Sequence, residues 1–114
     1  MKVEINNNIF DVVPLLTPKD VQQGMMFKRF DGSFDGLLFF MEREDHSFWM
    51  KNCLVGLDII FIDGDKITTI REYCKPCKTK ECETYSGFGD LVLELPAGTC
   101  EKCNISEGDQ VIFR

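Results

Sequence analysis

The chain is short of several things, and each shortage excludes something. No apolar run approaches the roughly 20 residues of a membrane-spanning helix. Cations are outnumbered, with 13 Lys and Arg against 19 Asp and Glu, for a net charge of −6. An acidic surface repels phosphates, so nucleic acid is not expected as a partner. There is one histidine, His46, and it follows Glu42, Glu44 and Asp45. That company places it in an exposed acidic turn rather than beside a nucleophile. No serine or cysteine has a base spaced as a catalytic partner, so no catalytic residue is assigned. Repeats, low-complexity tracts and interdomain linkers are absent. The opening residues, Met1-Lys2-Val3-Glu4, are polar and lead into strand-like sequence, so no secretory signal is expected there.

What is present suffices for one domain over residues 1–114. A chain of this length buries roughly two-thirds of its unfolded surface, enough for a core without disulfides or metal. "VEI" and "IFDVV" flank Asn6-Asn7-Asn8 and read as a hairpin, because Asn tolerates left-handed backbone. In "TPKDVQQG", Thr17 can cap, Pro18 suits the first helical position and Gly24 can stop a short helix. Strands follow at "GLLFFME" (36–42), "SFWM" (47–50), "LDIIFI" (57–62), "KITTI" (66–70), "LVLEL" (91–95) and "EGDQVIF" (107–113), with Asp63-Gly64 as a turn. "CKPCKTKECETYSGFGD" (74–90) has no periodicity and reads as a long loop. "PAGTCEKCNI" holds one or two helical turns. The helices are too short and too few for βαβ units. The expected fold is α+β: a mostly antiparallel, strongly curved, barrel-like sheet of about seven short strands with two short helices. Phe48, Met50, Ile60, Ile62, Leu93 and Leu95 are expected in or near its core.

The stretch "HSFWMKNCLVGLDIIFID" (46–63) buries a question among its apolar residues. Lys51 and Asp58 are seven positions apart across a Gly-containing connection. They could pair there, with Asn52 holding the loop's backbone groups. Alternatively, Trp49, Lys51, Asn52 and Asp58 line a small polar ligand pocket with an aromatic wall. Side chains alternate along a strand, so Trp49 and Lys51 share one face and Phe48 and Met50 the other.

Five stretches occur in order along nearly the whole chain: "GMMFKRF" (24–30), "GLLFF" (36–40), "FWMKNCLVGLDIIFID" (48–63), "LVLELPAGT" (91–99) and "EGDQVIF" (107–113). In this combination the chain resembles the domain-of-unknown-function family 192. The resemblance implies a small α+β fold, no established activity, and members that are often exported or lipid-anchored. The family usually has Thr where Cys53 stands and Pro where Gly56 stands. It commonly shows Pro-Cys, a short polar gap, Cys and a following Tyr, which match Pro76, Cys77, Cys82 and Tyr85.

Six cysteines leave three readings open. In the first, Cys77 and Cys82 close the four-residue loop "KTKE" as a disulfide, and Cys74 pairs with Cys100 or Cys103. A Cys74–Cys100 bridge would close about 25 residues, worth roughly 3 kcal/mol of chain entropy. In the second, the Cys74/Cys77 and Cys100/Cys103 pairs, separated by 22 residues, hold one structural zinc. In the third, "CKPC" or a helix-borne Cys100 does thiol chemistry, although the βαβ context of thioredoxin-like motifs is missing. The same region is the only basic one: residues 66–82 sum to +3, where 1–65 sum to −5 and 83–114 to −4. Lys75, Lys78 and Lys80 there could meet an anionic partner or simply face solvent. The leading expectation is a non-enzymatic binding or accessory domain without a cofactor. Its partner would be a small polar ligand or another protein. The alternative is a zinc-binding or thiol-active protein built on the clustered cysteines.

Overall fold

The computed structural model describes all residues from Met1 to Arg114. Local chemistry sets the turns. Asn6 and Asn7 take φ of 50° and 64° and fold β1 (Lys2–Ile5) back on β2 (Asn8–Leu15). The Thr17 hydroxyl accepts the Asp20 N–H at 3.2 Å, which caps α1 (Pro18–Gln23), and Gly24 ends that helix at φ 48°. Then come β3 (Gly36–Trp49), β4 (Leu57–Asp63), β5 (Lys66–Cys74), β6 (Thr84–Pro96), α2 (Thr99–Lys102) and β7 (Ile112–Phe113).

All seven strands form one sheet in the order β5-β4-β6-β3-β2-β1-β7. It is mixed rather than wholly antiparallel, because β2 and β3 run parallel, from Val12 opposite Gly36 to Leu15 opposite Phe39. The connection through α1 is long enough to return the chain to the same end of the sheet, as a parallel pair requires. The sheet curls into a half-barrel. The N–H groups of Ile67 and Val111 bond the carbonyls of Asp109 (3.0 Å) and Asp65 (2.7 Å), so the start of β5 meets the segment leading into β7.

Two expectations about strands are corrected. "GLLFFME" and "SFWM" are one strand, β3, and the acidic "EREDH" between them is not a turn. Pairing with β6 breaks at a bulge after Phe40 and resumes at Glu44 opposite Gly89. His46 therefore lies within a strand, where its Nε2–H donates to the Glu42 carbonyl at 2.6 Å. Likewise, residues 84–90 are not loop but the first half of β6. The glycines that disguise them are demanded by packing. A Cβ at Gly87 would collide with the Phe61 ring, and one at Gly89 with the Ile62 backbone.

The curled sheet is covered on both faces. One core gathers Ile60, Ile62, Leu93 and Leu95 with Val3 and Ile5. The other gathers Ile59, Phe61, Val92 and Phe39 with Met25 and Met50. Side chains alternate along β4, yet every residue from Leu57 to Ile62 is buried, because each face of that strand meets a core. Phe48 is half-buried against the second core, with its ring edge-to-face on Phe39 at 5.1 Å and on Phe61 at 5.8 Å.

Candidate functional site

The polar residues of the central stretch go to different places. Asp58, on β4 opposite Leu95, is fully buried. Its Oδ1 accepts the N–H groups of Tyr73 at 2.9 Å and Gly98 at 3.3 Å, and its Oδ2 accepts that of Cys100 at 2.9 Å. Gly98 caps α2 without a side chain of its own, so Asp58 supplies the missing acceptor from across the fold. Tyr73 is held at both ends, its N–H on Asp58 and its hydroxyl on Glu101 at 3.0 Å.

No ion pair joins Lys51 to Asp58. The three in the molecule are Lys2–Asp11, Arg43–Asp63 and Arg114–Glu4. Asp58 is satisfied by backbone donors instead, and those make no demand on a lysine. Lys51 lies with Trp49, as strand alternation requires, its Nζ 5.1 Å from the indole ring centroid. Asn52 sits at φ 61°, a left-handed conformation that Asn tolerates. Its carbonyl accepts from Phe27 N–H at 2.9 Å, and its N–H donates to the Cys77 carbonyl at 3.2 Å. It stitches two neighbouring loops through its backbone.

Trp49 forms part of the rim of a cleft of about 220 Å³ between α1, β3 and the segment that carries Cys53. Met25, Phe39, Phe48 and Cys53 line it, and Glu94 lies at its buried side. Glu94 was not among the residues singled out from sequence. In "LVLEL" it occupies the alternating polar position, which reads as solvent-facing. But β6 is a central strand, and Glu94 is paired on one side with Leu37 and on the other with Ile59. It shares its strand face with Val92, inside the second core. The residue is buried, and its Oε1 has no hydrogen-bond partner. Burial pushes the carboxyl up to about 8, because a charge with no partner is costly in an apolar surround. At neutral pH it is a protonated acid. The nearby Cys53 thiol is pushed up to about 11, first by burial and then by the Glu94 charge. The one available clue in the sequence was an acid in a strand flanked by apolar residues on both sides.

Cys77 and Cys82 form a disulfide with Cα atoms 5.9 Å apart. This bridged loop docks on the central stretch, with Cys77 N–H donating to the Met50 carbonyl at 3.0 Å. The expected Cys74–Cys100 bridge is not formed. Both thiols are free, and they belong to different cores, Cys74 to the second and Cys100 to the first. The zinc set Cys74, Cys77, Cys100 and Cys103 does not converge either. Cys77 is bonded to Cys82, and nowhere do three His, Cys, Asp or Glu side chains gather to hold an ion. Burial raises Cys74 to about 12 and pushes Cys100 higher still, so neither is a ready thiolate. Lys75, Lys78 and Lys80 are exposed on the loop.

Comparison with known proteins places the chain. The domain-of-unknown-function family 192, described as "Uncharacterized ACR", matches residues 1–113. A protein of unknown function from Novosphingobium aromaticivorans DSM 12444 superimposes with a TM-score of 0.87 at 25% identity, over 98% of this chain and 84% of its own. A Sinorhizobium meliloti 1021 protein, described as a candidate transcription regulator, superimposes with a TM-score of 0.82 at 28% identity, over 97% of this chain and 89% of its own. No curated protein matches.

Proposed function

Because this chain belongs to the domain-of-unknown-function family 192, whose description names no activity, we propose its function from its own cleft: it is a small-ligand binding domain whose ligand occupies the space between Trp49 and Glu94. The observation that carries this reading is the unpartnered Glu94 carboxyl at the buried side of an aromatic and thioether-walled cleft. Leaving such a group unbonded costs roughly 1–3 kcal/mol, and nothing else in the fold uses it. A group that destabilises the fold and faces a cleft is a candidate for binding. The cleft is smaller than the ~300–1,000 Å³ of drug-sized sites, so its ligand is small.

Binding is favoured over catalysis by the neighbours of Glu94. The cleft has no histidine, lysine or arginine, and Cys53 stays a thiol, which is a weak nucleophile. Trp49 forms part of the rim, with Lys51 against it and Asn52 next in the chain, while Asp58 ties α2 to β5 through the N–H groups of Cys100 and Tyr73. This reading needs no resident metal or cofactor. A role in transcription, as in the description of the Sinorhizobium protein, is disfavoured by the net charge of −6.

Trp49 is the only tryptophan, so intrinsic fluorescence reports on the rim directly. A screen of small ligands by Trp49 emission, followed by amide chemical-shift mapping, should converge on Met25, Trp49 and Cys53. Reproducible shifts confined to another surface would sink the proposal.

A further inference from the structure

Resting on that reading, we infer that the cleft takes a small organic cation: an ammonium attached to an apolar body, with the ammonium on the Glu94 carboxylate and the body against Phe39, Phe48 and Met25.

Three features of the cleft combine to select this class. First, the one buried group that lacks a partner is a carboxyl. It can satisfy a donor-rich ligand as a carboxylate through charge-assisted hydrogen bonds, which are roughly twice as strong as neutral ones. Second, the cleft contains no cation of its own. An anionic ligand would meet a carboxyl and no compensating charge, whereas a cation would supply the missing partner. Third, the walls are chiefly aromatic rings and thioethers, Phe39, Phe48 and Trp49 with Met25, Met26 and Met41, and the polar side chains among them, Gln22, Gln23 and Ser47, carry no charge. Ring faces attract cations, and Trp49 already holds the Lys51 ammonium 5.1 Å from its centroid. A neutral alcohol or amide could hydrogen-bond to Glu94, Gln22, Gln23 or Ser47, but it would bring no charge to pair with the carboxylate.

Protonation makes the inference sharp. Burial alone favours Glu94 as the neutral acid. The titratable groups that feel its charge are Cys53 and Cys74. The parts of α1 and β3 that line the cleft, from Val21 to Gln23 and from Phe39 to Trp49, contribute no charged side chain to it. When an ammonium enters, the Glu94 proton leaves for solvent and the carboxylate pairs with the ligand. Affinity must therefore rise with pH up to about 8. Below that value the gain is about tenfold per pH step, or ~50-fold between pH 6 and pH 8.

The test uses three probes of one shape on the intact chain: benzylamine, benzyl alcohol and benzoate. Binding is followed by Trp49 fluorescence and by amide shifts, at pH 6 and pH 8, for the wild type and Glu94→Gln. The expected result is that benzylamine binds at least tenfold more tightly than the other two, and more tightly at the higher pH. Glu94→Gln, which is nearly isosteric, should lose both the preference and the pH dependence. Equal binding of the alcohol, preference for benzoate, or an affinity for benzylamine unmoved by pH in the wild type would overturn the amine assignment while leaving the cleft as a binding site. If none of the three shifts any cleft resonance, the amine assignment and the binding reading fall together. The wild-type pH series decides the matter even where the variant does not fold.

Discussion

Replacing Asp58 by Asn tests whether this buried carboxylate serves the backbone or a lysine. The side chain keeps its shape but loses its charge and one acceptor. At Oδ1, the bonds from Tyr73 and Gly98 change from charge-assisted to neutral, at a cost of about 1 kcal/mol each. The amide NH2 that replaces Oδ2 then faces the Cys100 N–H, donor against donor, in a buried site. Orphaning that N–H costs a further ~1–3 kcal/mol. The total is about 3–5 kcal/mol, a large share of the ~5–15 kcal/mol typical of a domain. It should lower Tm by roughly 10–20 °C. The informative comparison is Lys51→Met. It removes a partly exposed cation–π contact with Trp49, worth ~0.5–1 kcal/mol, and leaves Asp58 untouched, so Tm should move by only a few degrees. Chemical denaturation of the two single variants and the double variant reads this out, and their effects should add. A Lys51→Met loss as large as that of Asp58→Asn, with no further loss in the double variant, would refute the assignment of Asp58 to the backbone.

Glu94 predicts an unusual pH dependence. The unfolded chain sheds this proton near the ordinary value of 4.5, the native state near 8. Between those values the native state binds more protons, so stability falls as pH rises, by a few kcal/mol across the window. Glu94→Gln should flatten that slope and stabilise the protein more at pH 8 than at pH 5 in thermal melts; parallel Tm–pH curves for the two proteins would contradict it. Thiol counting under non-reducing denaturation should give four free groups, Cys53, Cys74, Cys100 and Cys103. In the native protein the half-buried Cys103 should react with a thiol reagent before the three buried ones, and a count of two or six would show that the pairing is wrong. Gly89→Ala should destabilise by at least ~2 kcal/mol in urea titrations, because its methyl group meets β4 backbone at Ile62 rather than a side chain that can move; a neutral result would mean that β6 and β4 are less tightly apposed.

The turns and caps were legible because their causes lie within a few residues. Asn6-Asn7 make the first hairpin, Thr17 and Gly24 bound α1, and Gly64, at φ 65°, turns β4 into β5. The Cys77–Cys82 bridge spans five positions, and the Trp49–Lys51 pair follows from strand alternation alone. None of these depends on what lies across the fold. The remaining features do. The run "EREDH" stays in β3 because β6 extends far enough to pair with it, and Gly87 and Gly89 look like loop residues until β4 is laid against them. The donors that satisfy Asp58 lie 15, 40 and 42 positions away; a nearby lysine was the natural partner to expect from a linear chain. Glu94 is the sharpest case. Period-two alternation says only that its side chain leaves the face used by Leu93 and Leu95; whether the opposite face meets water is decided by what covers it. Here Met25, just after α1, and the segment carrying Met50 and Cys53 close a second core over that face, and the residue whose polarity marked it as exposed becomes a buried acid beside a cleft.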